Sequence, residues 1–248
     1  MEPVVVRLSD SVTIIHGDCR DVLPVECDAV VSDPPYGMDW NVNSRRFTGG
    51  HNPEARGRQG RNDYRPVHGD KEPFDPAPWL DFPAVVLWGV NHFAARVPVG
   101  TTLVWIKRLD PSFGTFLSDA ELAWVKGGHG VYCRRDTSMN GESSNRLHPT
   151  QKPVGIIQWS MERAKVPEGA TVLDPYMGSG TTGIACIRTG RRFVGIEIEA
   201  GHFATARQRL ENELRQGLLP LTHNTEAVGR PAAGRTHEPL VGGKVSHE

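Results

Sequence analysis

The chain has 248 residues, of which 38% are hydrophobic, and its formal net charge at pH 7 is −1. This length and composition predict one α/β domain with a single core rather than two domains, and the overall charge does not indicate a nucleic-acid partner. No apolar run reaches the roughly 18–20 residues that span a membrane, and the N-terminus lacks a secretory pattern. The four cysteines form no C-x-x-C pair, so we expect reduced thiols in a cytoplasmic protein rather than disulfides or a zinc site.

Strands and helices alternate along the chain. Short apolar runs predict strands at residues 12–16, 28–32, 84–89, 102–107, 121–126, 171–174 and 192–197. Helices are predicted near residues 20–23, as a short turn at 91–96, over 154–164, from a glycine turn at 178–183 to about 188, and as an amphipathic segment through Phe203, Ala206, Leu210 and Leu214. This alternation predicts a mainly parallel, doubly wound sheet.

Two segments lack apolar periodicity. Residues 37–70 are predicted to form a long flexible loop, and residues 222–248 a disordered tail that follows a domain over residues 1–221. Between residues 41 and 65 the loop has a surplus of four positive charges, from Arg45, Arg46, Arg56, Arg58, Arg61 and Arg65 against Glu54 and Asp63. Such a basic loop either contacts the phosphates of a nucleic acid or is a solvated surface segment.

The sequence Asp33-Pro34-Pro35-Tyr36 directly follows the predicted buried strand at residues 28–32. Open α/β sheets bind ligands in the crevice at the carboxyl ends of their strands. The two prolines fix the backbone and leave carbonyl acceptors beside the Asp33 carboxylate and the Tyr36 ring. This cluster suits a planar group that bears an NH2, because one N–H can donate to the carboxylate and the other to the Pro34 carbonyl while the ring stacks on Tyr36. The alternative is a plain turn.

The glycine turn predicts a nucleoside site. Gly178, Gly180 and Gly183 match G-x-G-x-x-G between a strand and a helix, and Glu197 follows Gly180 by 17 residues, which is typical of a carboxylate that holds ribose hydroxyls. Asp174 would repel a pyrophosphate but suits an ammonium group, so the turn favours S-adenosylmethionine over NAD. An NAD-dependent oxidoreductase and an inactive nucleotide-binding module are the alternatives of other classes.

Four segments together resemble the DNA amino-methyltransferases, which modify adenine N6 or cytosine N4. Residues 33–36 resemble their motif IV, and residues 173–182 resemble motif I, with Tyr176 where phenylalanine is usual. Residues 148–153, His-Pro-Thr-Gln-Lys-Pro, resemble the signature before motif I, and Gly17-Asp18 resembles an N-terminal motif. The catalytic motif precedes the cofactor motif, which is the order of the β class, a circular permutation of the Rossmann-like S-adenosylmethionine-dependent fold. The resemblance covers roughly residues 10–215.

The resemblance implies a DNA adenine-N6 methyltransferase with a mainly parallel sheet that includes an antiparallel strand. A cytosine-N4 enzyme, or one that acts on RNA, is the alternative of the same chemistry, and Asp33 favours adenine because cytosine enzymes more often have serine there. The implied partner is double-stranded DNA with a flipped base, without a membrane or a metal, and a homodimer is compatible with it. The target-recognition region would be the Arg-rich loop and a small insertion at residues 108–146.

The implied site has a catalytic part and a cofactor part. The catalytic residues are Asp33, Pro34, Pro35 and Tyr36. The residues expected to bind S-adenosylmethionine are Asp18, Cys19, Thr150, Lys152, Asp174, Tyr176, Gly178, Ser179, Gly180, Thr181, Thr182 and Glu197.

Overall fold

The computed structural model of the protein describes residues 2–38, 68–115, 118–138 and 151–217. Most of the predicted loop, including its six arginines, lies outside these residues, as do Thr150 and the predicted tail.

One sheet contains all the strands of the described residues. The strands are β1 (Val4–Arg7), β2 (Val12–His16), β3 (Ala29–Ser32), β4 (Ala84–Trp88), β5 (Thr101–Ile106), β6 (Ala120–Val125), β7 (Val131–Arg135), β8 (Thr171–Asp174) and β9 (Arg192–Glu197). The helices are α1 (Cys19–Val22), α2 (Val154–Arg163), α3 (Thr181–Arg188) and α4 (Ala200–Gly217). Short 3₁₀ turns occupy Ala77–Trp79, Val90–His92, Ala94–Arg96 and Asp110–Ser112.

The strand order is β1-β2-β9-β8-β3-β4-β6-β5-β7. Strands β2, β9, β8, β3 and β4 are parallel to one another, whereas β1 and β6 are antiparallel to their neighbours and β7 is parallel to β5. The predicted fold class, a mainly parallel α/β sheet with antiparallel pairing, is therefore confirmed. Strands β1 and β7 were not predicted, because their side chains are mostly or wholly exposed and give no buried–exposed alternation.

The two faces of the sheet are covered differently. Neighbouring residues on a strand point to opposite faces, so Val30 and Val31 belong to separate core clusters. The cluster that contains Val31 also contains side chains of α2, α3 and α4. The cluster that contains Val30 is closed by Cys19 of α1 and by the aromatic residues Phe74, Trp79 and Phe93. The predicted doubly wound connectivity is thus present, but the second face is covered by 3₁₀ turns and the short helix α1 rather than by long helices.

The carboxyl ends of the parallel strands meet at one edge, where the sheet opens between β3 and β8. These two strands pair only through Ala29 with Val172 and Val30 with Leu173. Pro34 and Pro175 then follow the strand ends and have no N–H to extend the pairing. The chain leaves β8 toward β9 and leaves β3 toward β4, which makes this gap the topological switch point where α/β sheets bind ligands.

The segment at residues 108–146, which the resemblance implies as a small target-recognition insertion, contributes two strands to the main sheet, and its role stays a prediction. Within it, β6 pairs with β4 and β5, and β7 pairs with β5, so residues 120–135 are part of the main sheet. Because β6 runs antiparallel, its first residues lie at the same edge as the ends of β4 and β5. No helix among the described residues is long and apolar enough to cross a membrane.

Candidate active site

A buried hydrogen bond joins the two strands at the gap. The Ser32 hydroxyl at the end of β3 donates to Oδ1 of Asp174 at the end of β8 over 2.6 Å. The same oxygen accepts the backbone N–H of Tyr176 at 3.2 Å. Burial raises the pKa of the Asp174 carboxyl to about 6, although hydrogen bonds from Ser32 and Thr182 oppose the rise. Ser32, which precedes the motif at residues 33–36, is therefore hydrogen-bonded to Asp174, the last residue of β8 before the segment that contains the glycine turn.

Asp33 is the first residue of the predicted catalytic motif, and both of its carboxylate oxygens have partners. The Tyr36 hydroxyl donates to Oδ1, and the Lys152 ammonium forms an ion pair with Oδ2. The Asp33 side chain remains 24% exposed, whereas that of Lys152 is only 2% exposed. The structure therefore pairs Lys152, which the family resemblance assigned to the cofactor, with the carboxylate predicted to be catalytic.

Lys152 also connects Asp33 to a second carboxylate. Its Nζ lies 3.1 Å from Oε2 of Glu121 on β6, and Oε1 of Glu121 lies 2.9 Å from Nζ of Lys107. The Lys152 ammonium also lies over the Trp88 ring, 5.3 Å from its centroid. The result is a chain of alternating charges, Asp33–Lys152–Glu121–Lys107, which we call the charge chain.

Burial and pairing act against each other along the charge chain. Burial raises the pKa of Asp33, and the nearby Lys152 ammonium only partly opposes this. Burial also disfavours the charged forms of Glu121 and Lys152, but here the opposite charges dominate, so that the pKa of Glu121 is lowered and that of Lys152 is raised. Lys152 and Glu121 are therefore held in their charged forms, whereas the raised pKa of Asp33 favours its neutral form.

The Tyr36 ring is fixed on two sides. It stacks on the His92 ring with centroids 4.7 Å apart and an interplanar angle of 10°. Gly89 has a φ of +78°, and a Cβ at that position would lie 1.9 Å from the tyrosine ring. Only a glycine leaves room there for the ring. Tyr36 thus forms one wall of the site beside Asp33, as expected, with His92 stacked against it.

Asp70 holds the backbone that follows the catalytic motif. Its Oδ1 accepts the consecutive N–H groups of Tyr36, Gly37 and Met38, at 3.0, 2.9 and 3.2 Å. Gly37 has a φ of +80°, and a Cβ there would lie 2.5 Å from the carbonyl oxygen of Glu72. Asp70 is itself only 6% exposed. We call this arrangement the Asp70 clamp; it fixes residues 36–38 against residues 70–72.

Glu197 supports the glycine turn on the other side of the gap. Its two carboxylate oxygens accept the backbone N–H groups of Gly178 and Glu199, each at 2.8 Å. Glu197 is 8% exposed, and burial raises its pKa. A carboxylate oxygen has more than one lone pair, so these bonds leave acceptor capacity for hydroxyl groups.

Gly178 and Gly180, the first two glycines of the turn, have different surroundings. A Cβ at Gly178 would meet nothing closer than the Tyr176 carbonyl oxygen at 4.0 Å, whereas a Cβ at Gly180 would lie 3.2 Å from the Cβ of Ala206 in α4. Gly178 therefore borders open space, and Gly180 packs against a helix. A side chain at Gly180 would therefore press on α4.

The remaining residues of the turn are buried supports. Ser179 accepts hydrogen bonds from Arg209 of α4 through its carbonyl and its hydroxyl oxygen. Thr181 and Thr182 are 8% and 4% exposed, and the Thr182 hydroxyl contacts Asp174.

Asp18, one of the residues predicted to bind the cofactor, follows the end of β2. Asp18 caps α1 by accepting the Arg20 N–H at 2.9 Å and also pairs with the Arg20 guanidinium, which lowers the pKa of Asp18. The end of β2 is joined to the end of β9 by a 3.0 Å bond from the Gly17 N–H to the Glu197 carbonyl. Asp18 and Glu197 thus lie at the same edge of the sheet.

Tyr176 lines this part of the site together with aromatic residues that the sequence did not mark. Its hydroxyl contacts the buried thiol of Cys19. Phe74 and Trp79 meet the Tyr176 ring edge-on, with centroids 5.9 and 6.0 Å away.

Sequence reasoning missed Glu121, Asp70 and His92. None of them belongs to a recognisable motif, and each reaches the site through pairing between distant segments. The only available signal was a charged residue at the start of an otherwise apolar strand, Glu121 in β6. Among the described residues, no group of three or more His, Cys, Asp or Glu side chains could hold a metal ion.

Comparison with known sequences agrees with the recognised motifs. Residues 99–208 match a family described as DNA methylase, N6_N4_Mtase. The Type II methyltransferase M2.DpnII of Streptococcus pneumoniae is 49% identical over 69 residues, which are 27% of this chain and 24% of the relative. The putative methylase YubD of Escherichia coli (strain K12) is 42% identical over 78 residues, which are 30% of this chain and 34% of the relative. The similarity thus spans about a quarter of the first relative's length and about a third of the second's.

Solved structures with similar folds include the crystal structure of the M1.HpyAVI–SAM complex. It aligns with a TM-score of 0.49 at 21% identity, over 80% of this chain and 100% of that one. The PvuII DNA methyltransferase (cytosine-N4-specific) aligns with a TM-score of 0.49 at 13% identity, over 84% of this chain and 91% of that one.

Proposed function

We propose, from the premise that this chain belongs to the DNA amino-methyltransferase family, that it transfers a methyl group from S-adenosylmethionine to the exocyclic N6 amine of adenine in DNA. The observation that supports this most directly is the position of Asp33. Its partly exposed carboxylate lies at the carboxyl end of β3, next to the glycine turn that follows β8, at the switch point of the sheet.

The glycine-turn residues fit the methyl donor. Open space at Gly178 lets the backbone approach a ligand, and Glu197 retains acceptor capacity for two ribose hydroxyls. The Asp174 carboxylate would attract the ammonium of an amino-acid moiety, and Asp18 and Tyr176 lie on the side proposed for adenine. S-adenosylmethionine, when bound, supplies a methyl carbon on a positively charged sulfur.

Asp33 and the Pro34 carbonyl would hold the two N–H bonds of the target amine. The lone pair of such an amine is delocalised into the ring, so the nitrogen is a poor nucleophile. Two fixed acceptors favour the pyramidal form that the transition state requires, and their orientation exists before the substrate arrives. The raised pKa of Asp33 also suits it to accept the proton that the nitrogen releases after methylation.

A base inside a duplex cannot reach this carboxylate, so the target nucleotide has to be flipped out. Tyr36 would stack on the flipped base through the part of its ring that His92 does not cover.

The choice of adenine over cytosine rests on Asp33 alone, where cytosine-N4 enzymes of the family more often have serine. The acceptor pair itself suits either amine.

Mass spectrometry of nucleosides tests the proposal. Unmethylated duplex DNA and RNA would be incubated with the protein and S-adenosylmethionine that carries a deuterated methyl group, then digested and analysed. We expect labelled N6-methyladenine from DNA. Labelled N4-methylcytosine would identify cytosine as the target base, and label in RNA alone would identify RNA as the substrate; in both cases the methyl-transfer chemistry would stand. The absence of labelled nucleosides from both DNA and RNA would contradict the proposed function.

Asp33→Ala should nearly abolish this methyl transfer while the dissociation constant for S-adenosylmethionine stays within a few-fold. Loss of one preorganised polar partner typically lowers the rate by about 10²–10³. Single-turnover rates and calorimetric titration measure the two quantities. The matched control is Glu211→Gln, which removes an exposed pairing with Arg207 on α4. Near-normal turnover in Asp33→Ala would show that Asp33 is not the acceptor.

A further inference from the structure

Glu121 has no role in the proposed reaction, yet it lies at the active site. It belongs to β6, outside every recognised motif, and its side chain is 30% exposed. Each of its carboxylate oxygens pairs with a different lysine, Lys152 at 3.1 Å and Lys107 at 2.9 Å. A charged pair in an ordinary surface position would not involve an ammonium that is 2% exposed.

The buried ammonium of Lys152 explains why a second carboxylate is useful. An ammonium of this kind is stable only when it is paired, because its desolvation is expensive. With Asp33 as its sole partner, Lys152 would hold that carboxylate tightly and compete with the amine of the substrate. It would also be left unpaired whenever Asp33 accepted a proton.

We propose that Glu121 is a positioning residue: by sharing the Lys152 ammonium with Asp33, it keeps the Asp33 carboxylate available to the target amine. This inference rests on the proposed function. In this arrangement Lys152 orients Asp33 through Oδ2 without neutralising it fully, and the ammonium keeps a partner when Asp33 binds a proton. Lys107 sets how much of the Glu121 charge is available to Lys152.

Several charged or titratable groups act on Asp33. Lys152, which precedes α2, and Tyr36 contact it directly. Glu121 acts across Lys152 from β6, and Lys107 at the end of β5 acts through Glu121. Asp174 of β8 is the nearest carboxyl across the gap, and Asp70 acts on Tyr36.

Two substitutions with opposite expected effects test the inference. Glu121→Gln removes a negative charge and leaves Lys152 to Asp33 alone, so the Asp33 carboxyl should become a stronger acid, by about tenfold in its acid dissociation constant. Lys107→Gln frees Glu121 for Lys152, so Asp33 should become a weaker acid. General loosening of the site would move both variants in the same direction.

The readout is titration of the Asp33 carboxyl by carbon-13 NMR in the full chain, assigned with Asp33→Asn. This measurement needs no methyl transfer, so it decides the inference even if the proposed DNA activity is absent. Glu211→Gln, remote on α4, is the control and should leave the titration unchanged. If Glu121→Gln fails to fold, the Lys107→Gln result decides alone. An unchanged Asp33 titration in the folded variants, or a change of the same sign in both, would overturn the inference.

Methyl transfer supplies the second readout. In Glu121→Gln the plateau rate should fall by about tenfold, the acid limb of the pH profile should move to lower pH, and the dissociation constant for S-adenosylmethionine should stay within twofold. A merely structural role would lower the rate without moving the acid limb, and that result would also overturn the inference. Wild-type protein without any methyl transfer would instead contradict the proposed function.

Discussion

At the scale of single residues, the site depends on acids that are buried at the end of the sheet. Asp174 is 3% exposed, and its pKa of about 6 lies above its ordinary value of 3.8 because burial disfavours the carboxylate. A carboxyl whose pKa is raised by folding makes the fold less stable as pH rises through the interval between the two values. The ionised Asp174 thus lowers the free energy of unfolding, as expected of a carboxylate proposed to bind the cationic group of a ligand.

Asp174→Asn should therefore stabilise the protein increasingly as pH rises from about 4 to about 6. Each pKa unit corresponds to about 1.4 kcal/mol, so the free energy of unfolding of the variant should gain about 3 kcal/mol over wild type between these pH values. Urea denaturation at a series of pH values measures this. Ser32→Ala removes a hydrogen bond to the carboxylate and should move the wild-type drop to higher pH. A stability difference that is independent of pH would contradict the assignment.

Two glycines of one turn should respond differently to the same substitution. Gly178 and Gly180 both have positive φ, at +53° and +80°, so alanine at either position is strained by about 1–2 kcal/mol. Gly178→Ala adds its methyl to open space at the proposed cofactor site and should mainly weaken S-adenosylmethionine binding. Gly180→Ala presses on Ala206 and should mainly lower the melting temperature. Calorimetry and thermal unfolding compare the two, with Glu197→Ala as the variant expected to weaken binding most; equal effects of both glycine variants on binding would contradict this division.

At the scale of elements, strand ends and turns position the side chains of the recognised motifs. Ser32 joins β3 to β8, Gly89 makes room for Tyr36 at the end of β4, and Glu121 reaches the site because β6 runs antiparallel. The Asp70 clamp adds a turn that is held by one carboxylate oxygen and three N–H groups.

Asp70→Ala should lower methyl transfer with little change in cofactor affinity. Three partly buried N–H groups would lose their acceptor, which destabilises the backbone that carries Tyr36 and should lower the rate by about tenfold or more. Asp70→Asn keeps an oxygen at the same position and should restore part of the rate. Single-turnover kinetics and cofactor titration of both variants test this; equal losses in Asp70→Ala and Asp70→Asn would indicate that charge, and not the acceptor, is what matters.

The sequence predicted those parts of the fold and site that depend on local patterns. The strand that precedes Asp33, the glycine turn and the switch point follow from apolar runs, prolines and glycines that are close in the chain. Lys152 on Asp33 and Glu121 on Lys152 could not be predicted, because they depend on which side chains meet when β6, β3 and the start of α2 come together. Strand β7 was not predicted for a different reason, since an edge strand with exposed side chains has no apolar pattern.

At the scale of the whole molecule, the proposed contact with DNA depends on exposed basic residues. The arginines of the predicted loop lie outside the described residues, and contact with phosphates stays a prediction, as does a homodimer. Among the described residues, the edge strand β7 carries Arg134 and Arg135 in exposed positions. Arg135 is already paired with Asp110, which reduces its availability.

Neutralising Arg45, Arg46, Arg56, Arg58 and Arg61 together should weaken DNA binding and reduce its salt dependence. Each phosphate contact that is lost should lower the log–log salt slope by about 0.9. Duplex affinity measured at several salt concentrations tests this. Neutralisation of Arg207 and Arg215, which lie on α4, is the matched control. An unchanged slope in the five-fold variant would favour β7 and its neighbours as the phosphate contact.

The short pairing of β3 with β8 has a consequence for how the protein is made. Ser32 and Asp174 are 142 residues apart in the chain. A ribosome that adds about 5–20 residues per second therefore needs roughly ten seconds to synthesise the second partner after the first. Once β4 has been synthesised it can pair with β3, but the other edge of β3 stays unpaired until β8 follows, a state open to non-native association. The Asp33 carboxylate is thus synthesised well before Asp174 and the glycine turn, which lie beside it in the folded protein.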